Sequence, residues 1–335
     1  MATQQPVLAL DIGGTKLAVA MVSADGRTHG FLSEPTRKER GPEAVIEHLF
    51  DMGRRSIAAA GIGAPAAVGI SCGGPLDAVR GVLTHPLHLP GWIDVPIVAL
   101  TSEAFGVPAV LENDATAGAL GEYRYGAAAD ADTALYLTLS TGVGGGAVID
   151  GMLHRGAAGN GGEFGHLTVR PGGRLCACGR RGCLEAYASG TNIAVRANEL
   201  LTSVNTPSSL RDLDTVRAED VSRAAAAGDT VAAAVWDETT ALLGQAVTDL
   251  VNLFEPHVVV LGGGVTRAGS LLLDPVRETV RATAMPPAAA AVEVCLAGLG
   301  DEVCVVGAGA RALDLIRTTA PEPTSTPVTE DPTHV

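Results

Sequence analysis

Two segments in different halves of the chain follow the same local plan, and that repetition constrains the fold most. In the first, Val7 to Leu10 reads as a short apolar strand, Asp11-Ile12-Gly13-Gly14-Thr15-Lys16 follows, and Leu17 to Val22 reads as a return strand. In the second, Leu135 to Leu139 is apolar, Ser140 to Gly146 is a glycine-rich turn, and Ala147 to Ile149 is apolar again. Each unit is an apolar strand, a small polar residue, a glycine turn and a return strand. Together they read as an internal duplication of a strand–turn–strand unit. A length of 335 residues fits two domains better than one core, and a hydrophobic fraction of 47% is enough to fill both.

The remaining elements fit that frame. Asp25-Gly26 reads as a hairpin turn leading to a third strand. Pro42 to Ala60 has helical spacing, with Val45, Ile46, Leu49 and Phe50 on one face. Ala67 to Ser71 and Ala109 to Leu111 read as buried strands, and Asp114 to Tyr123 as a helix. In the second half, Asp229 to Phe254 reads as one long helix and Val258 to Leu261 as a strand. Val265 to Thr283 and Asp301 to Ile316 read as further helices. Thr318 to Val335, rich in Pro, Thr and acid, reads as a disordered tail.

A formal net charge of −14 argues against non-specific attraction to nucleic acid or an anionic membrane, and 3% aromatics argues against a base-stacking platform. No segment is long and apolar enough to span a bilayer, and Met1 to Pro6 lacks the features of a signal peptide. Of six cysteines, three crowd into Cys176–Cys183, a spacing that reads as metal before disulfide. The expected compartment is the cytoplasm.

Asp11 with Gly13, Gly14, Thr15 and Lys16 offers backbone N–H groups, a hydroxyl and a cation to a phosphate, and Asp11 can hold Mg²⁺. A plain hairpin explains that motif equally well when it stands alone. Thr141 and Gly142 repeat the chemistry from the other half, so the two loops read as jaws on a triphosphate. Gly262-Gly263-Gly264, between strand and helix, leaves room for adenosine; tight strand–helix packing is the alternative. In Glu112-Asn113-Asp114-Ala115, Asp114 sits where strand gives way to helix. It is a candidate N-cap and also a candidate general base, since a carboxylate at a strand's carboxyl end faces the usual ligand crevice.

The most specific signal is Glu163-Phe164-Gly165-His166 followed by Cys176, Cys178, Cys183 and Glu185. One His and three Cys complete a tetrahedral zinc set with no position left for water, so the site should be structural. With one His166 nitrogen on the metal, the other can donate outward, and Glu163 and Glu185 can face a sugar. Cys72, Cys295 and Cys304, among small apolar residues, read as core thiols.

In these motifs, and in their order from Val7 to Ile316, the chain resembles the ROK family of bacterial repressors and sugar kinases, particularly its glucokinase-like members. The resemblance implies an actin/hexokinase-like (ribonuclease H-like) fold of two related α/β domains around a cleft. One would comprise residues 1–115 plus 302–317 and the other 116–301. It implies an ATP-dependent hexose kinase acting on the 6-hydroxyl of glucose, with Mg²⁺, a structural Zn²⁺ and Asp114 as general base. Gly74, Asn113, Asp114, Glu163, His166 and Glu185 would line the sugar site, and His166, Cys176, Cys178 and Cys183 would bind zinc. Homodimers or homotetramers are common among such proteins. Two loops depart from the family pattern: Cys72-Gly73-Gly74-Pro75 replaces a Pro-Gly-Pro, and His88 stands where Asn often precedes Leu-Pro-Gly-Trp. Both bear on which sugar is used, and kanosamine, glucosamine and N-acetylmannosamine are the alternatives to glucose. A repressor would need an N-terminal helix-turn-helix, for which the ten residues before Asp11 are too few. A sugar sensor without kinase activity is the remaining alternative.

Overall fold

The computed structural model describes residues 5–157 and 159–319. The first half runs β1 (Val7–Ile12), β2 (Lys16–Val22), β3 (Thr28–Pro35), α1 (Pro42–Ala60), β4 (Val68–Cys72), α2 (Ile97–Phe105), β5 (Ala109–Asn113) and α3 (Asp114–Tyr125). The second runs β6 (Ala134–Leu139), β7 (Val143–Ile149), β8 (Met152–Leu153), α4 (Glu185–Ala188), α5 (Gly190–Ser203), α6 (Ala218–Ala226) and α7 (Thr230–Phe254). It continues through β9 (Val258–Gly262), α8 (Ser270–Thr283), α9 (Pro286–Ala291), β10 (Glu293–Leu296) and α10 (Val303–Thr319).

Among the described residues the strands form two sheets, ordered β3-β2-β1-β4-β5 and β8-β7-β6-β9-β10. In each, the first three strands are antiparallel neighbours, and the first, fourth and fifth are parallel. The duplication read from two glycine turns therefore extends to the whole topology. This is the actin/hexokinase-like arrangement.

Strand β1 is buried on both faces, which is why it reads as an unbroken apolar run. Leu8, Leu10 and Ile12 point to one side and join Val45, Ile46, Leu49 and Phe50 of α1. Val7 and Ala9 point to the other and meet Val305, Ala308, Ala312 and Leu313 of α10. Helix α10 thus returns from the end of the second half to cover the first sheet, while α3, from the first half, packs on β6 and β7. The two helices cross at small residues: a Cβ on Gly307 would stand 1.8 Å from the Ala117 carbonyl oxygen.

Two expectations are corrected. The helix expected over 265–283 is interrupted, because Gly264–Ala268 forms a 3-10 turn and Gly269 follows at φ 60°. That left-handed backbone, open to glycine at no steric cost, redirects the chain into α8. Thr318 belongs to α10 rather than to a tail, and the rest of the expected tail, from 320 on, lies outside the described residues.

Candidate active site

Because β1, β4 and β5 are parallel, their carboxyl ends share one edge of the first sheet. The loops leaving that edge carry Gly13–Thr15 and Gly73-Gly74, and Asn113-Asp114 is the direct junction of β5 and α3. The parallel strands β6 and β9 likewise deliver Ser140–Gly142 and Gly263-Gly264 from the second sheet. The two edges face each other: a Cβ on Gly142 would lie 3.5 Å from Nε2 of His88, which belongs to the first half.

The cap of α3 resolves the double reading of Asp114. The N-cap is Asn113, whose Oδ1 accepts the N–H groups of Ala115 and Thr116 at 3.0 and 3.2 Å. Asp114 is the first helical residue, and its Oδ1 accepts the Ala115 N–H at 2.8 Å. With Oδ1 committed to the cap, Asn113 presents its Nδ2 toward Gly74, where a Cβ would lie 3.7 Å away. A Cβ on Gly73 would lie 3.5 Å from Asp114 Oδ2, so the Gly73-Gly74 loop borders both groups. Burial raises the Asp114 carboxyl above its ordinary range; the Ala115 N–H and the nearby His88 pull it back.

Glu163, Glu185 and His166 close the site from the second half. Burial raises the Glu163 carboxyl, His166 opposes this, and Asp114 and Glu185 add to it. Three carboxylates therefore share one electrostatic neighbourhood. Glu185 does double service: its Oε2 accepts the Val143 N–H of the second glycine loop at 3.0 Å, and its Oε1 lies 3.5 Å from Cys176 Sγ. A Cβ on Gly142 would stand 2.6 Å from Glu185 Oε2, so a side chain there would displace the carboxylate from its present place.

His166, Cys176, Cys178 and Cys183 bring one ligand atom each within 4.8 Å of one another. The Cys176 N–H donates to the Arg180 carbonyl at 2.8 Å, and the Thr168–Cys183 and Leu175–Arg181 bridges draw the loop closed. The Cys178 and Cys183 sulfurs stand 3.7 Å apart, close to the edge of about 3.8 Å for a tetrahedron with 2.3 Å metal–sulfur bonds. His166 turns Nδ1 to Cys176 Sγ at 3.7 Å and Nε2 to Glu163 Oε2 at 3.7 Å. The donor set fits a tetrahedral metal.

Asp11 is buried at the end of β1 and accepts the Ser71 hydroxyl at 2.6 Å. Burial pushes its carboxyl up to about 7, against the Ser71 hydrogen bond; Asp114 adds to the rise and Lys16 opposes it. The turn after it is closed by the Gly13 N–H donating to the Lys16 carbonyl at 3.0 Å, which leaves Thr15 exposed. Lys16 Nζ lies 3.9 Å from Asp301, which Arg267 also engages at 3.0 and 3.2 Å. Arg267 lines a cavity of about 830 Å³ bounded by α6, Gly264–Ala268 and α8. Gly264 borders that cavity, whereas added Cβ atoms on Gly262 and Gly263 would meet Tyr136 and the Leu139 backbone. Thr141 is exposed beside Gly142.

Two residues gain importance that their sequence context did not signal. Buried Glu112 takes the Nε groups of Arg155 and Arg311 on Oε2 at 3.0 and 3.1 Å, tying β5 to a second-half loop and to α10. Cys304, read as a core thiol, lies 3.7 Å from the Asp114 carbonyl oxygen and so backs the site directly.

Opposed glycine loops, with a carboxylate at the mouth of each sheet, define a phosphoryl-transfer cleft. The ROK family model matches residues 7–314, and the chain belongs to that family. It is 36% identical over 306 residues to a glucokinase of Halalkalibacterium halodurans, covering 90% of this chain and 92% of that protein. An N-acetylmannosamine kinase of Citrobacter koseri is 36% identical over 265 residues, 79% of this chain and 85% of that one. A ROK glucokinase from Streptomyces griseus, solved with glucose and AMPPNP, superposes with a TM-score of 0.78 at 33% identity, over 92% of this chain and 99% of that one. The protein is an ATP-dependent sugar kinase.

Proposed function

We propose that the protein phosphorylates the 6-hydroxyl of glucose, with Asp114 as the general base. The observation that carries this reading is the double engagement of Glu185, which joins the sugar-facing carboxylates to the second glycine loop through the Val143 N–H. A sugar held by Glu163, Glu185, His166 and the Asn113 Nδ2 would present one hydroxyl to Asp114, within reach of a phosphate on Gly14 and Gly142. Asp114 takes the hydroxyl proton as the oxygen bonds to phosphorus and the bond to the departing ADP oxygen breaks. Carboxylates suit vicinal hydroxyls, each of which donates to a charged acceptor.

ATP would lay its adenosine in the cavity beside Gly264 and its phosphates past Arg267 and Lys16 toward Gly13, Gly14, Thr15, Thr141 and Gly142. Asp11 would hold Mg²⁺, which neutralises charge on the phosphates when bound. His166, Cys176, Cys178 and Cys183 would hold a structural zinc, with His166 Nε2 directed to the sugar side. The working division is 1–115 with 302–317 against 116–301, closing about α3 and α10. Among the described residues no helix is long and apolar enough to cross a membrane. We assign the protein to the cytoplasm as a homodimer or homotetramer.

The second reading is an N-acetylmannosamine kinase. The likeness to the Citrobacter koseri enzyme favours it, as does the absence of side chains at Gly73 and Gly74 beside Asn113 and Asp114. Amino sugars such as kanosamine and glucosamine also suit a carboxylate-rich site. The test is kcat/KM on glucose, kanosamine, glucosamine, N-acetylglucosamine and N-acetylmannosamine. Glucose should rank first. A preference above about tenfold for an N-acetylated hexosamine, roughly 1.4 kcal/mol of transition-state discrimination, overturns the choice of sugar.

A further inference from the structure

We propose that His88 is a further catalytic residue of this kinase: its imidazole donates a hydrogen bond to the phosphoryl group as that group passes from ATP to the sugar hydroxyl. The proposal rests on the kinase reaction above and adds a donor to it.

The placement of His88 is built into the fold. Its neighbours Leu89 and Trp92 are sunk in the core of the first half. The Leu87 N–H donates to the Gly74 carbonyl at 3.1 Å and the His85 N–H to the Pro75 carbonyl at 3.3 Å, which fastens this segment to the loop bordering Asp114. Between those anchors His88 turns toward both glycine loops. A Cβ on Gly14 would strike His88 Cβ at 2.6 Å, and one on Gly142 would stand 3.5 Å from Nε2. The side chain therefore leaves the first phosphate loop and ends at the second, the gap a transferring phosphoryl must occupy. The ring is exposed and makes no side-chain hydrogen bond among the described residues, so its donor is available.

Charge gives the reason a donor belongs there. Asp114, Glu163 and Glu185 all face this space, and the incoming phosphoryl carries negative charge on its equatorial oxygens. Lys16, the cation of the first loop, is turned to Asp301. His88 is a side chain at the junction that can offer an N–H beside the backbone donors of the loops, and it acts electrostatically on Asp114. In the step, the hydroxyl oxygen forms the new bond to phosphorus and ADP leaves with the electron pair of the broken bond. The hydroxyl proton passes to Asp114, and His88 ends the step as protonated as it began.

The test uses the full chain with ATP and the hexose the wild type uses best, comparing His88→Ala and His88→Gln. Loss of one donor to developing charge lowers kcat by on the order of 10²-fold. His88→Ala should show that loss, with the hexose dissociation constant, measured by calorimetry, within about twofold of wild type. His88→Gln, which restores an N–H at similar reach, should recover about tenfold of the lost kcat. The melting temperature should not change in either variant, since the ring is exposed. Should His88→Ala fail to fold, a His88→Gln kcat reduced about tenfold at unchanged hexose affinity supports the proposal, and a wild-type kcat overturns it. A folded His88→Ala with wild-type kcat overturns it. So does unchanged kcat with hexose KM raised more than tenfold, which would make His88 a sugar ligand. Wild-type protein that releases no ADP with any hexose removes the reaction itself, an outcome distinct from all of these.

Discussion

Asp11 and Asp114 are both short carboxylates at strand ends, yet their neighbours set them different tasks. Asp114 is free of the cap because Asn113 has taken it over, and a buried carboxylate that does not cap its helix suits proton acceptance. Asp11 sits deeper, with its carboxyl pushed up to about 7 mainly by burial, against a value of about 4 in the unfolded chain. Between about pH 4 and 7 the folded state binds more protons, and stability falls as pH rises through that window. Asp11→Asn should remove this penalty. In metal-free and nucleotide-free buffer the variant's unfolding free energy should exceed that of wild type at pH 8 by on the order of a few kcal/mol, and by much less at pH 5. Equal differences at the two pH values would refute the assignment. At this scale the motif residues were legible because glycine, Asp and Cys/His spacings carry their chemistry in the local sequence. The direction of Lys16 and the position of His88 were not. Each depends on partners from distant segments, such as Asp301 and Gly142.

The metal loop is the element whose sequence spacing most directly predicts its geometry. Tight turns need few residues, so Cys176, Cys178 and Cys183 converge locally, and only His166 comes from a separate 3-10 turn, Phe164–His166. Glu185, at the start of α4, follows Cys183 closely, which sets its carboxylate 3.5 Å from the Cys176 thiol and would couple a bound metal to the proposed sugar site. We expect about one zinc per purified chain, since the four-ligand set is complete. Cys178→Ala should lower zinc content, melting temperature and hexose affinity together, as measured by metal analysis, thermal denaturation and calorimetry. A zinc-free variant with normal hexose affinity would break the coupling. The element boundaries show the limits of periodicity. Helices at 42–60 and 230–254 follow long apolar patterns, whereas the break at Gly269 depends on one residue's backbone angle, which hydrophobic spacing does not encode.

At the scale of the molecule, two sheets of identical order stand on either side of a cleft, with α3 and α10 exchanged between them. The repeat of two short glycine turns revealed the duplication. The exchange of helices is not legible in local patterning, because both are small-residue helices with no feature that names the sheet they cover; only the family resemblance implied it, by grouping 302–317 with the first half. Glu112 was equally silent: its two arginine partners lie 43 and 199 positions away, and together the three join both halves next to Asp114. The central claim is that this cleft moves a phosphoryl group onto a hexose with Asp114 accepting the proton. The most direct test is kcat for glucose-dependent ADP release by Asp114→Asn. The account predicts a loss of about 10²–10⁴-fold with glucose binding largely kept, because the amide still hydrogen-bonds the sugar. Wild-type turnover in that variant would contradict it.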